Sequence, residues 1–111
     1  MARLVYRTAA LRQLADIVAY IERESQSRDV ADRFFDKLNA YCERLSTLPV
    51  MIGRPRPEIG RDYRSTTFQS YVIFMRYSDE DGPRSRLNVV HILHGSRDMD
   101  ALFAQHPDEP D

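Results

Sequence analysis

The chain has 111 residues, and its 16 basic and 17 acidic side chains leave a net charge of −1. A domain typically takes about 100 to 200 residues, so this length predicts one core and excludes a second. Because the charges nearly cancel, the composition excludes an overall electrostatic attraction to nucleic acid or to an anionic membrane. Cys42 is the single cysteine, and no secretory or membrane-spanning apolar run occurs. We therefore expect a cytoplasmic protein.

The N-terminal half predicts one strand followed by two helices. Residues 4–6 form a short β-rich run, and Thr8 is expected to cap an amphipathic helix over residues 9–24. Asp29 is the predicted N-cap of a second helix, which Pro49 ends. Its apolar stripe comprises Val30, Phe34, Leu38, Tyr41, Leu45 and Leu48. The short break between the helices predicts an antiparallel hairpin with one broad apolar side.

The C-terminal half predicts a sheet. Residues 49–62 are rich in proline, glycine and arginine, so we expect a surface loop without ladder pairing. Three strands follow at residues 63–68, 71–77 and 87–93, with the almost continuously apolar 71–77 in the centre of the sheet. A short helix over 97–105 and a mobile tail over 106–111 complete the chain.

The order of these elements predicts an α+β fold. Residues 1–105 are expected to form a single domain in which the antiparallel helical hairpin packs on one face of a twisted antiparallel sheet. The last three strands form a meander, and the N-terminal strand joins it at an edge or between strands.

Metal and cofactor chemistry finds no support in the motifs. His91 and His94 lie three residues apart, and in a strand this spacing places them on opposite faces, so they cannot ligate one ion. Cys42 falls on the apolar side of the second helix, where we expect a buried thiol and not a nucleophile. No phosphate-loop, dinucleotide or nucleophile-elbow pattern occurs.

Arginines are concentrated in the loop and in the strand that follows it. Concentrated guanidinium groups bind carboxylates or phosphates in bidentate pairs, although solvated surface arginines are common. We expect this cluster to bind a partner, with Arg97 as a further contact; its members are Arg54, Arg56, Arg61 and Arg64.

Seven segments taken in order resemble the ParE branch of the ParE/RelE toxin superfamily. They are L-R-Q-L-A-D-I-V-A-Y-I at residues 11–21, A-x-x-F-x-x-K-L at 31–38, L-x-x-L-P at 45–49, G-R-P-R-P-E-I at 53–59, Y-R-S at 63–65, Y-V-I-F-M-R-Y at 71–77 and V-H-I-L-H-G-S-R-D at 90–98. The resemblance implies the toxin of a bacterial type II toxin–antitoxin module that inhibits DNA gyrase without catalysis. It also implies a cognate antitoxin. The expected assembly is either a homodimer of the toxin or a toxin–antitoxin heterotetramer.

RelE-like relatives instead cut messenger RNA on the ribosome, which requires basic side chains on the central strands and a proton-transfer group near the C-terminus. The resemblance places those basic positions at Phe68 and Val72, neither of which can stabilise a phosphorane. A divergent nuclease would use Arg64, Arg76, His94 and Arg97. This endoribonuclease is the alternative function, and an inactive, antitoxin-binding subunit is a third. No cofactor, membrane contact or sequence-specific nucleic-acid contact is expected.

Overall fold

The computed structural model describes residues 2–79 and 85–95. The elements in chain order are β1 (Arg3–Tyr6), α1 (Thr8–Ser25), α2 (Arg28–Thr47), β2 (Arg54–Pro55), β3 (Tyr63–Phe68), β4 (Tyr71–Ser78) and β5 (Arg86–His94). The helix predicted over 97–105 and the tail over 106–111 lie outside the described residues. In the part of the chain that is described, neither helix has a long enough apolar stretch to cross a bilayer.

The five strands form one sheet in the order β1-β5-β4-β3-β2. Strands β3, β4 and β5 are the predicted antiparallel meander, and β4 lies at the centre of the sheet. Strand β1 joins at the edge and runs parallel to β5, so the sheet is mixed. The two helices pack on this sheet, and the predicted α+β fold class is confirmed.

The helix ends differ from the predicted caps. Thr8 is already the first residue of α1, and Arg7 holds the extended N-cap position without a side-chain capping hydrogen bond. Ser27, not Asp29, caps α2, and its hydroxyl accepts a 3.2 Å hydrogen bond from the Val30 N–H. Asp29 lies in the first turn, where a carboxylate favours the positive end of the helix dipole. Both predicted caps were wrong by one or two residues.

The main core lies between the helical hairpin and the sheet. Phe34 of α2 packs edge-on against Phe68 and Tyr71, with ring centroids 5.9 Å and 5.5 Å away. The buried residues of this core are Ala10, Leu14, Phe34, Leu38, Cys42, Ile73, Val89 and Ile92. Burial of this apolar surface is the main force that holds the hairpin on the sheet.

The prediction that residues 49–62 make no ladder pairs was wrong. Strand β2 pairs with β3, with Arg54 opposite Ser65 and Pro55 opposite Arg64. Proline is tolerated there because β2 is an edge strand, so its missing N–H costs no ladder bond on the open side. Ile59 of the same segment is fully buried. The composition of this segment therefore predicted neither strand β2 nor the burial of Ile59.

Helix α1 also closes part of the sheet edge. Beyond the end of β1, the Arg7 N–H donates to the Val89 carbonyl at 2.9 Å. The Gln13 side chain then accepts a 2.8 Å hydrogen bond from the Ile92 N–H through Oε1. A side-chain amide thus takes the place of a neighbouring strand, which satisfies a backbone group on the edge of β5.

Candidate partner-binding site

The arginine cluster divides into exposed and tethered members. Arg54 is exposed on β2, and the side chain of Arg61 is 94% exposed with its Nε 3.9 Å from an oxygen of Asp62. Such a long contact between exposed groups contributes little to stability. Both guanidinium groups are therefore available to an incoming carboxylate. Arg97 lies outside the described residues.

Arg56 is held by its own chain. Its Nε donates to the Ser65 hydroxyl at 2.7 Å, and its guanidinium lies 5.7 Å from the centre of the Phe74 ring. A second guanidinium nitrogen donates to Glu58 at 3.3 Å. A backbone hydrogen bond, aided by Arg56, lowers the pKa of the Glu58 carboxyl. These contacts hold the loop in its conformation. The Arg56 guanidinium is therefore less available to a partner than that of Arg54.

Arg64 is held in the same way. Its side chain donates to the Ile52 carbonyl at 3.2 Å and to the Gly53 carbonyl at 2.9 Å. Gly53 has φ +102, and a Cβ there would lie 2.7 Å from the Ser65 carbonyl oxygen. The tight turn at Gly53 is thus formed by a glycine and held by the Arg64 side chain. Arg54 projects from the strand that follows this turn.

The residues named for a nuclease do not meet in the described structure. Arg76 pairs with Asn88 at one end of β4, whereas His94 pairs with Tyr71 at the other end. Five residues of a strand separate Arg76 from Tyr71, which corresponds to about 17 Å. Arg64 is bonded to the loop, as described above. These three side chains cannot contact one phosphate together.

The histidines occupy positions that do not converge. His91 lies opposite Phe74 and His94 lies opposite Tyr71, three positions along the same strand and so on opposite faces. The His91 Nδ1 is 3.1 Å from Nε2 of Gln13. Among residues 2–79 and 85–95, no three His, Cys, Asp or Glu side chains cluster as metal ligands.

The sequence did not predict a cleft between the connected end of the hairpin, where α1 ends and α2 begins, and the β3–β4 turn. Its volume is about 510 Å³, and it is lined by Tyr20, Ile21, Val30, Arg33, Phe34, Lys37, Gln69, Ser70, Tyr71 and His94. Tyr71 forms the centre of its wall, with the Phe34 ring 5.5 Å away and the His94 ring 5.8 Å away. An aromatic wall with polar groups at the rim is typical of a ligand-binding pocket.

A smaller groove continues from this cleft along the edge of β5. Its volume is about 220 Å³, and it shares Tyr20, Tyr71 and His94 with the cleft. Gln13, which bonds to the Ile92 N–H, lies on its other side. Together the two depressions form an elongated surface that runs between the hairpin and the sheet.

Comparison with known proteins decides the family. The model described as "ParE toxin of type II toxin-antitoxin system, parDE" matches residues 4–99. This chain belongs to the ParE toxin family. A solved structure titled "Chromosomal ParDE TA system from P. aeruginosa" shares the fold, with a TM-score of 0.69 and 14% sequence identity over 85% of this chain and 96% of that one. No curated protein matches this ParE-family chain.

Proposed function

We propose that this ParE-family chain is an active, non-catalytic toxin that inhibits DNA gyrase and thereby blocks replication. The match of the family over residues 4–99 is the observation that carries the proposal. Gyrase and messenger RNA are both cytoplasmic, so the toxin acts in the cytoplasm. Inhibition by binding requires surface complementarity and no reacting side chain.

The strand faces support binding over RNA cleavage. Phe68 packs against Phe34 and Tyr41, and Val72 is only 9% exposed, so neither position presents a charge to a phosphate. Loss of one charged contact to a transition state costs roughly 3 kcal/mol, or about a hundredfold in rate. Arg76 and His94, which lie at opposite ends of β4 and β5, do not replace these charges. Endoribonuclease activity is therefore the less favoured function, and the experiment below can detect it.

Supercoiling by purified gyrase is the direct test. We expect micromolar toxin to inhibit supercoiling or to cause cleaved DNA to accumulate. When the same toxin preparation is added to ribosomes that are translating a message, we expect the message to stay uncut. Normal supercoiling would refute the proposal. Cuts in the translated message, mapped by primer extension, would indicate the nuclease. Harmless expression in cells without an antitoxin would indicate an inactive subunit.

We also propose that the toxin is neutralised by a cognate antitoxin whose carboxylates bind Arg54 and Arg61, while Arg56, Arg64 and Arg97 support that contact. Arg54 and Arg61 are exposed, and β2 leaves one edge of the sheet open beside them. Arginine binds carboxylates in a planar, bidentate geometry that lysine cannot reproduce. The contact therefore depends on charge and on the shape of the guanidinium.

Replacement of both exposed arginines tests this contact. Arg54→Ala with Arg61→Ala should weaken the complex with the antitoxin encoded beside the toxin by about tenfold at low salt, and by less at high salt. Isothermal titration calorimetry measures the change. Arg12→Ala with Arg44→Ala, a matched loss of two exposed helix charges, should leave the affinity within about twofold. Equal affinities for both variants would refute the role of the cluster.

A further inference from the structure

Three arginines on neighbouring strands share one corner of the sheet. Arg3 of β1 lies directly opposite Arg86 of β5. Two residues further along β5, Asn88 lies opposite Arg76 of β4. Neighbouring strands are about 4.8 Å apart and successive residues about 3.3 Å apart, so the three arginine Cα atoms lie within about 12 Å of one another. We call these three residues the corner arginines.

The corner arginines lie on the face of the sheet away from the helical hairpin. Met75 and Leu87 pack with Leu45 of α2, so they face the hairpin. Successive side chains of a strand alternate between the two faces, which places Arg76 and Arg86 on the opposite face. The β1 member of the corner shares this face, because it lies opposite Arg86 in the register.

The charge around this corner is positive. Among the described residues of β1, β4 and β5 and those directly flanking them, Arg7 is a fourth cation and Asp79 is the one acid. Like charges directly opposite each other destabilise a sheet, and Arg3 and Arg86 form such a pair. An anion bound beside them would offset this repulsion. The corner is therefore suited to bind negative charge, although the net charge of the whole chain is −1.

Asn88 lies within this corner and carries an acceptor without a partner. Its Nδ2 donates to the Arg76 carbonyl and to the Ser78 hydroxyl, both at 3.0 Å. The residue is only 4% exposed, and its Oδ1 accepts no hydrogen bond in the described part of the chain. Buried acceptors are nearly always paired. Arg76 lies directly opposite, so its guanidinium can donate to Oδ1 once a bound anion holds it at the corner.

We propose that the corner arginines bind the phosphate backbone of duplex DNA, so that the toxin contacts the DNA segment held by gyrase. The identity of that segment rests on the proposed inhibition of gyrase. The phosphate chemistry rests on the corner alone, and it requires no particular base sequence. The corner is separate from Arg54 and Arg61, because β1 and β2 form opposite edges of the sheet.

The buried aromatic side chains of this face favour a duplex over a single strand. Proteins bind single-stranded nucleic acid largely by stacking its bases on exposed aromatic rings. Tyr63 and Phe74 share the face of the corner arginines, but they are 1% and 0% exposed. Among the described residues, the exposed aromatic side chains Tyr20 and Phe35 belong to the hairpin. A duplex backbone needs only cations, since its bases stay stacked within the helix.

The shape of the corner favours a nucleic acid over an acidic peptide. Neither the cleft of about 510 Å³ nor the groove of about 220 Å³ has a corner arginine in its wall. A peptide gains most of its affinity from a few side chains that fill pockets. A duplex instead gains affinity from each cation that neutralises a phosphate, and neighbouring strands present such cations side by side.

Binding of a fluorescently labelled duplex of random sequence, measured by anisotropy, tests the phosphate chemistry with the toxin alone. At about 50 mM salt we expect a dissociation constant on the order of 10 μM, and the affinity should fall steeply as salt increases. A single strand of the same length and a polyglutamate peptide should bind about threefold more weakly or worse. No duplex binding at about 100 μM toxin, or tighter binding of either other probe, would overturn the proposal.

Removal of corner charges locates the binding. Arg3→Gln with Arg76→Gln should weaken duplex binding by about tenfold at low salt and lower the slope of log affinity against log salt by about 2. Arg3 is exposed, so Arg3→Gln alone should fold normally and lower the slope by about 1. Arg3→Lys with Arg76→Lys should stay within about threefold of the original chain, because lysine also binds phosphate as a point charge.

The matched control is Arg12→Gln with Arg44→Gln, which removes two exposed charges from the hairpin. This control should keep the salt slope and stay within about twofold of the original affinity. A corner variant with glutamine that binds the duplex as well as the control does would overturn the proposal.

Supercoiling by gyrase tests whether the bound DNA is the segment that gyrase holds. Arg3→Gln with Arg76→Gln should raise the toxin concentration needed for half-inhibition by about fivefold, whereas the hairpin control should not. If the original chain binds the duplex through the corner but leaves gyrase unaffected, the gyrase proposal fails while the phosphate chemistry stands. If gyrase is inhibited equally by the original chain and the corner variant, the contact with its DNA is refuted while the toxin function stands.

Discussion

The two halves of helix α2 differ in how completely the sheet covers them. In the C-terminal half, Leu38 and Cys42 are fully buried and Leu45 is 5% exposed. In the N-terminal half Phe34 is still buried, but Val30, one turn earlier, is 41% exposed. The apolar stripe is continuous along the helix, so the difference arises from what lies beneath it. A stripe that extends beyond its sheet leaves apolar surface for another molecule.

The β3–β4 turn explains where coverage ends. Gln69 adopts φ 54, a left-handed conformation that reverses the chain between the two strands. Phe68 and Tyr71 flank this turn, and both contact the Phe34 ring. Since the sheet ends there, none of the described strands lies beneath Val30, and the space below it becomes the cleft. Helix α2 has 20 residues and is therefore about 30 Å long, so its N-terminal end extends past the end of the sheet.

The largest expected effect is on the free energy of unfolding when one apolar side chain in each half of α2 is truncated to alanine. Leu38→Ala should lower the free energy of unfolding by about 3 to 4 kcal/mol, because it removes buried methyl groups and leaves a cavity. Val30→Ala should change it by less than about 1 kcal/mol, because much of that side chain is already in water. Urea denaturation of both variants measures the difference. Comparable losses would show that Val30 is covered in solution, contrary to the open cleft.

The periodicity of the sequence was enough to predict most of this fold. Repeats of three and four residues predicted α1 and α2, and the β-rich runs predicted β1, β3, β4 and β5, because local pattern dominates such long elements. Strand β2 escaped prediction, since two residues carry no period and its proline argued against pairing. Ser27 was missed as a cap because Asp29, two residues later, is an equally good capping residue type.

The candidate site was less predictable than the fold. The sequence grouped the arginines, but it did not separate exposed Arg54 from Arg56, which bonds to Ser65. That distinction depends on the pairing of β2 with β3, a tertiary contact. The cleft brings Tyr20, Arg33 and Tyr71 together from three elements, and no linear motif records such a meeting. Val30 at the end of the stripe was its one local signal.

The buried C-terminal half of α2 should also exclude water from the Cys42 thiol. Burial is the main cause that raises the pKa of the Cys42 thiol to about 11, and burial likewise raises the pKa of Tyr6 on β1. In an unfolded chain the thiol titrates near pH 8.5. The folded protein therefore keeps a proton that the unfolded chain loses. This contribution to stability is fully present below pH 8.5 and declines as the pH rises toward 11.

The smaller expected effect is an alkaline loss of stability that depends on Cys42. Between pH 8 and 10.5, the free energy of unfolding of the original chain should fall by about 2 kcal/mol more than that of Cys42→Ala. Urea denaturation across this range measures the difference; Tyr6, whose raised pKa is due in part to Cys42, adds to it chiefly above about pH 10. If the two proteins lose stability in parallel, water reaches Cys42. The two halves of α2 would then differ only in the exposure of Val30, because water would also reach the C-terminal half.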